Sequence, residues 1–362
     1  TVTAGAVCAA CSCAAAGKAT VEMASMDDTR KRRSEAEFRL FMSLSRFVRT
    51  PVQTIPQGAS PLQCAVLYLI DASVYIFRAY HSMPPDMLDR DGNPAHAVFG
   101  FARFLGDLIE RARPRYLAVA FDESLATSFR NRIDPAYKAN REPAPADLKL
   151  QFGGCREFCR HLGVATFASG EYEADDIIGT LHARFRAEGM PSTVVSRDKD
   201  LAQLIREGDI YWDYTANQRL AHHEIAAHFG VPPERYADYL ALTGDAVDNI
   251  RGVPGVGPKT AATLLKDFVS LEELYDNLDA VAAMPIRGAA KLPERLAQHR
   301  DAAFLARRLT GIVRDMPLAV DRAALLRRAP DLAALGDFFD RHNFGPTLRR
   351  QGERLAALAG GG

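Results

Sequence analysis

From about residue 66 onward, short apolar runs alternate with longer amphipathic stretches. Val66-Leu67-Tyr68-Leu69-Ile70, Tyr116 to Phe121, Val164-Ala165-Thr166-Phe167 and Thr193-Val194-Val195-Ser196 are short and rich in β-formers, as buried strands are. Ile210-Tyr211-Trp212 is a weaker fifth candidate. Between them, apolar residues recur at helical spacing over roughly 98–112 (Val98, Phe101, Leu105, Leu108, Ile109), 147–162, and Tyr172 to about Glu188. Strands alternating with helices imply a parallel sheet with right-handed crossovers. Ligands of such sheets bind beyond the carboxyl ends of the strands.

Acids cluster at that edge. Asp71 and Asp122 end the first two runs, and Asp198 with Asp200 follows the fourth. Glu173, Asp175 and Asp176 open the helix that carries Ile177, Ile178 and Leu181. Helix dipoles favour acids in a first turn, so this group alone could be plain capping. Glu173 and Asp176, three apart, would share a helix face, and Asp175 would point elsewhere unless it lies in a frayed first turn. Asp198 and Asp200, two apart in extended chain, would point to one side. So many converging carboxylates would repel one another unless a cation sat between them.

Two further stretches carry chemistry. Residues 124–146 hold Arg130, Arg132, Lys138 and Arg141 among Phe129 and Tyr137, closing on Pro143 and Pro145. A loop of this length is usually functional, and aromatics among basic groups suit single-stranded nucleic acid; a solvated excursion is the plainer alternative. From about 222 the pattern is helical, with candidates at 222–229 and 234–243. Asp245 and Asp248 lie in a turn there, followed by Gly255-Val256-Gly257-Pro258-Lys259-Thr260. Amides freed at Gly255 and Gly257 would face a helix N-terminus with Lys259 beside them, an anion site unless it is only a helix-turn-helix corner. Ser270-Leu271-Glu272-Glu273 reads as a capping box. Arg287, Lys291, Arg295, Arg300, Arg307, Arg308 and Arg314 make the C-terminal part locally basic.

Composition adjusts this picture little. With 362 residues, 48% hydrophobic, 25% charged and a formal net charge of +0, the chain fits two soluble domains and excludes a uniformly basic nucleic-acid binder. No run is long enough to span a membrane. Cys8, Cys11 and Cys13 lack a fourth ligand at zinc spacing. Cys155 and Cys159, four apart on a predicted helix, are expected to pack rather than bond, and a reducing cytoplasm suits this usage. Residues 1–62, with Arg30-Lys31-Arg32-Arg33 and the prolines at 51, 56 and 61, read as a disordered or artefactual leader. The expected division is an α/β core over 63–221, a helical domain over 222–350 with its hairpin at about 243–277, and a tail over 351–362.

The ordered set of motifs resembles the 5′-nuclease family, meaning the 5′→3′ exonuclease domain of bacterial DNA polymerase I and stand-alone flap endonucleases. The matching segments are Asp71 with Arg78-Ala79-Tyr80-His81, Ala97-Val98-Phe99-Gly100-Phe101, Phe121-Asp122, Tyr137-Lys138-Ala139-Asn140-Arg141, Glu173-Ala174-Asp175-Asp176, Asp198-Lys199-Asp200, Thr243-Gly244-Asp245 with Asp248-Asn249, and Gly255 to Thr260. Two departures concern loop geometry: Ala72 stands where the family often has Gly, and Glu171 is inserted between Gly170 and Tyr172.

The resemblance implies a PIN-like (resolvase-like) parallel-sheet core with a helical arch, then an all-α helix–three-turn–helix domain. Asp71, Asp122, Glu173, Asp175 and Asp176 would form a first metal cluster, and Asp198, Asp200, Asp245 and Asp248 a second. Two Mg²⁺, or Mn²⁺, would serve hydrolysis of DNA at 5′ ends, flaps or nicks. Lys138 and Arg141 would offset charge on the phosphate while Tyr137 stacks on an unpaired base. Gly255, Val256, Gly257, Pro258, Lys259 and Thr260 would grip duplex phosphates. K⁺ would sit on the carbonyls of Leu242, Thr243, Arg251, Val253 and Val256. With nothing after residue 362, a monomeric stand-alone nuclease or a fragment is expected. The alternatives are a PIN-like RNase and a non-catalytic binder of DNA structures.

Overall fold

The computed structural model describes residues 65–123 and 127–359. The leader's cysteines, its basic run and its proline linker lie outside the described residues. Five expected strands form: β1 (Leu67–Asp71), β2 (Tyr116–Asp122), β3 (Ala165–Ser169), β4 (Ser192–Val195) and β5 (Ile210–Asp213). A further strand, β6 (Gln218–Ala221), pairs antiparallel with β5, so the sheet is mixed, in the order β3-β2-β1-β4-β5-β6. Only Leu220 of β6 is buried, which is why no apolar run announces it. The other pairings are parallel. Their registers set Asp71 opposite Ala120, Ile70 opposite Val195, and Asp122 opposite Ser169. The strand-end acids therefore share one edge.

Both faces of the sheet are covered, and strands buried on both faces need no alternation in sequence. Ile70, Leu117, Val119 and Phe121 pack against α1 (Ala72–Ser82), α2 (His96–Ala112) and α4 (Ala146–His161). Leu67, Leu69, Ala118, Ala120 and Val194 pack against α5 (Ala174–Ala187). A short helix, α3 (Phe129–Ile133), opens the excursion before α4. Cys155 and Cys159 are free and buried in α4.

The chain then forms α6 (His222–Phe229), α7 (Tyr236–Thr243), a two-residue ribbon of β7 (Gly244–Asp245) and β8 (Ile250–Arg251), and α8 (Pro258–Asp267). After α9 (Leu271–Asp276) and α10 (Leu278–Val281) come α11 (Leu292–Gln298) and α12 (Arg300–Thr310). Leu240, Leu264, Leu265, Leu271, Leu296 and Ala306 build a separate core here. Ser270 caps α9, accepting from the Glu273 amide at 3.2 Å, but the Glu273 carboxylate accepts the Val269 amide at 2.6 Å, so the expected box does not close on Ser270.

The expected C-terminal boundary requires correction. Ile312, Met316, Val320 and Leu325 rejoin the α5 side of the sheet. A Cβ on Gly179 of α5 would lie 2.5 Å from Ile312, so glycine allows this close seating. Helices α13 (Leu332–Arg341) and α14 (Pro346–Ala359) then pack Leu335, Phe338, Phe339, Leu348 and Leu355 onto the α1–α2–α4 face. Residues 332–359 thus belong to the sheet domain's core, and 351–359 are helix rather than tail. The apolar stripe of these helices needs a partner surface, and the sheet domain supplies it.

Candidate metal centre and nucleic-acid interface

Asp71 ends β1 and caps α1, receiving the Val74 amide. Ser196, fully buried just past β4, donates to Asp71 Oδ2 at 2.8 Å and receives the Asp198 amide at 2.9 Å. Asp122 Oδ1 accepts from the Ala174 amide at 2.8 Å, fixing the start of α5 beside β2. Asp198 and Asp200 do not lie in extended chain as expected. Asp198 caps a short 3₁₀ helix, Lys199–Leu204, and its carboxylate accepts the Asp200 amide at 2.9 Å.

These acids repel one another. Asp71, 3% exposed, is pushed up to about 7 by burial and by the charges of Asp122 and Asp198. Asp175 is pushed well up by burial and by Asp198, Asp71 and Asp122. Burial raises Asp198, and Asp248 adds to it. Asp200 is raised strongly by burial, then by Asp198, with Asp245 and Asp248 contributing. The two expected clusters therefore meet at Asp198. No three His, Cys, Asp or Glu side chains among the described residues close into a finished cation cage. Even so, Glu173 Oε1 and Asp200 Oδ1 are buried without a hydrogen-bond partner. Orphaned buried oxygens are uncommon, and hard divalent cations take carboxylate oxygens. The residues fit such a group.

Asp176 requires a correction. It is fully buried. Arg130 grips it with two bonds, of 2.6 and 2.8 Å. It also accepts the Glu173 amide at 3.1 Å and the Val313 amide at 2.9 Å. Four donors fill this carboxylate, so it has no oxygen to offer a metal. Arg130 further donates to the carbonyls of Leu309 and Gly311 at 2.8 and 2.9 Å. The pair bolts the excursion, α5 and the exit of the helical domain together.

The excursion differs from expectation in a second way. Tyr137 is 3% exposed and packs in the helical domain's core, its hydroxyl donating to Glu173 at 3.1 Å and Asp248 at 3.4 Å. A ring so placed cannot stack on a base. Lys138 Nζ donates to Glu173 Oε2 at 2.6 Å and lies 3.6 Å from Asp248, which Arg141 also engages. Burial would lower the Lys138 ammonium, but Glu173 and Asp248 outweigh it and hold it raised. Burial would likewise raise Glu173, but Lys138 and Arg130 hold it below the usual range. Lys199 Nζ meets Asp245 Oδ2 at 2.9 Å. The inserted Glu171 anchors α3, pairing with Arg132 and receiving the Phe129 amide.

Beyond the ribbon, Val253-Pro254-Gly255-Val256 forms a tight turn closed by the Val256 amide on the Val253 carbonyl at 3.0 Å. Gly255 has φ +77°, the conformation that favours glycine after proline in such turns. Gly257 caps α8, Pro258 is its first residue, and Lys259 is exposed. The carbonyls of Leu242 and Val253, expected around K⁺, already serve this turn's hydrogen bonds.

Residues 66–230 match the family model described as the 5′-3′ exonuclease N-terminal resolvase-like domain, and residues 231–333 match the 5′-3′ exonuclease C-terminal SAM fold. The chain belongs to the 5′-3′ exonuclease family. It is 37% identical over 294 residues to DNA polymerase I of Rhizobium leguminosarum, covering 79% of this chain and 28% of that protein. It thus spans under a third of that relative's length. It is 38% identical over 211 residues to a 5′-3′ exonuclease of Aquifex aeolicus, covering 58% of this chain and 72% of the relative. Among solved structures, T5 D15 protein co-crystallised with metal ions aligns with a TM-score of 0.55 at 18% identity, covering 81% of this chain and 99% of that one. No helix among the described residues of this family member is long and apolar enough to cross a membrane.

Ser196 is a residue of this exonuclease-family site to which the sequence assigned no role, and Arg130 was expected only as one of the excursion's nucleic-acid-facing cations. Ser196, two residues before Asp198 at a strand end, carried a faint turn signal. The pairing of Arg130 with Asp176 carried no such signal, because the two lie 46 positions apart.

Proposed function

We propose that this chain hydrolyses DNA phosphodiesters at or near 5′ ends, 5′ flaps and nicks, using divalent cations, with Mg²⁺ as the first choice. The observation that carries this reading is the pair of partnerless buried oxygens, Glu173 Oε1 and Asp200 Oδ1, beside Asp175 and Asp200, whose carboxyls burial and neighbouring acids push up. Asp71, Asp122, Glu173 and Asp175 would hold one ion, and Asp198, Asp200, Asp245 and Asp248 the other. When bound, such ions supply an activated water and neutralise charge on phosphate and leaving oxygen.

The protein's own groups do the rest. Ser196 holds Asp71 and the Asp198 turn in place. Lys138 and Arg141 lie on Glu173 and Asp248, beside the acids, where a phosphate could draw them off their carboxylates. Cations positioned there would stabilise charge developing in the transition state. The exposed start of α8, with Lys259, would take duplex phosphates and set register without reading sequence.

Two variants assayed on a 5′-flap DNA duplex with Mg²⁺ test the proposal. Asp175→Asn should lower cleavage on the order of a thousandfold or more. Lys138→Ala should slow cleavage at saturating substrate while leaving duplex binding nearly intact. Cutting by Asp175→Asn at the parent rate would end the metal reading. RNA flaps cut faster than DNA flaps would move the substrate class.

A further inference from the structure

Lys138 and Asn249 are non-glycine residues in the left-handed region, with φ of +53° and +57°. Left-handed lysine is uncommon and persists only where its surroundings over-determine it. Here they do. The Lys138 amide donates to the Asp248 carbonyl at 2.9 Å. Asn249 Nδ2 reaches across to the Ala136 carbonyl at 2.7 Å. Asn140 Nδ2 reaches back to the Ala246 carbonyl at 3.2 Å. Asn131 Nδ2 holds the Tyr137 carbonyl from within the excursion at 3.1 Å. Three of these bonds cross between the excursion and loop 246–249, the fourth is internal to the excursion, and together they bracket Lys138.

The loop gripped in this way is the one carrying Asp245 and Asp248, and through β8 it leads into the turn before α8. Asn140 and Asn249 are both exposed, and exposed amide bonds contribute little to folding. Their placement on either side of Lys138 is the informative feature.

We propose that Asn249 and Asn140 are positioning residues. They clasp segment 136–140 to loop 246–249, so the height of Lys138 and Arg141 over the carboxylates follows the helical domain that grips duplex. A duplex seated on the turn at 253–257 would thereby set the cations that act at the cut. This rests on the proposed role of Lys138.

The test uses the full chain with Asn249→Gly, which keeps the left-handed backbone and removes only the amide, and separately Asn140→Ala. Each should slow single-turnover cleavage of a saturating 5′-flap duplex by tenfold or more, with KM and duplex affinity in Ca²⁺ within about twofold of the parent. In a Lys138→Ala background, Asn249→Gly should add less than twofold, since it acts through Lys138. In metal-free protein without DNA, trypsin should cut after Lys138 or Arg141 several-fold faster in both variants, with the melting temperature little changed. Parent-like single-turnover rates, or an Asn249→Gly effect that multiplies fully with Lys138→Ala, would overturn the clasp alone. An unaltered rate for Lys138→Ala itself would overturn the clasp together with the role assigned to that lysine.

Discussion

Two buried groups of acids in this molecule are chemically alike and electrostatically opposite. Asp209, fully buried at the amino ends of β4 and β5, receives His182 at 2.8 Å, Arg186 at 3.0 Å and the amides of Ser192 and Arg206 at 2.8 and 2.9 Å. Burial would raise its carboxyl, but His182 and the amides outweigh burial and hold it low. Asp71, Asp175 and Asp200 beyond the strand ends are raised instead, by burial first and then by neighbouring acids, with too few donors to offset either. A buried carboxylate with its donors in place is architecture, and one surrounded by its own kind is incomplete without a cation. By this criterion Asp176 belongs with Asp209, although it sits next to Asp175 in sequence.

That division is open to attack by exchanging one residue at a time. The largest effect should separate the adjacent acids. Asp175→Asn is expected to cost nearly all cleavage yet raise the melting temperature of metal-free protein, since repulsion is relieved. Asp176→Asn should do the reverse, destabilising by roughly 3–5 kcal/mol by leaving buried Arg130 poorly matched, with cleavage lowered mainly through lost folded protein. Denaturant melts beside flap assays check both. Equal destabilisation by the two changes would erase the distinction. Asp209→Asn should cost about 2–4 kcal/mol, for the same reason as Asp176→Asn, and leave the rate per folded molecule untouched.

The next effect is on pH dependence, with opposite signs in the two groups. For Asp71 the folded value is raised from 3.8 to about 7. Between those values the folded state binds more protons than the unfolded, so metal-free stability falls as pH rises through this window. At 1.36 kcal/mol per unit the loss is on the order of 4 kcal/mol for Asp71 alone. Asp209 is lowered, so its contribution is present above about pH 4 and is lost as pH falls further. In EDTA the protein should therefore melt lower at pH 8 than at pH 5.5, and Mg²⁺ should restore more at pH 8. A Mg²⁺ shift of equal size at both values would argue against cations as the missing partners.

Much of this was legible beforehand because it is local. The β-rich runs marked five strands, and acids immediately after them had to share the carboxyl edge of a parallel sheet. What escaped was set by partners distant in sequence or by the special geometry of helix ends. Helical periodicity grouped Glu173 with Asp176. But Glu173 is the N-cap, outside helical geometry, and Asp176 is the residue that turns back to its amide. Asp175 is left to face the strand ends. Tyr137 looked like an exposed aromatic among basic groups until the helical domain supplied a core for its ring. The return of α13 and α14 to the sheet is likewise invisible in a helical repeat, which gives a stripe without naming its partner.

The smallest effect carries the comparison over to the basic groups. Arg130 is buried and fully matched, so it belongs to the architecture. Arg295 of α11 lies half-buried against the turn before α8, where a Cβ on Gly255 would come within 3.2 Å of its guanidinium carbon. No acid pairs with it among the described residues. An unmatched guanidinium beside the exposed start of α8 is the cationic counterpart of the unmatched strand-end acids, and a phosphate would complete it. Arg295→Ala should weaken duplex binding a few-fold, uniformly across sequences, and reduce the slope of log affinity against log salt by about 0.9, as expected for one phosphate contact. The cleavage rate at saturating substrate should hold, because Arg295 belongs to the grip rather than the cut. A variant with the parent's salt slope would assign Arg295 to packing the turn, leaving Lys259 and the α8 amides as the groups that meet the duplex.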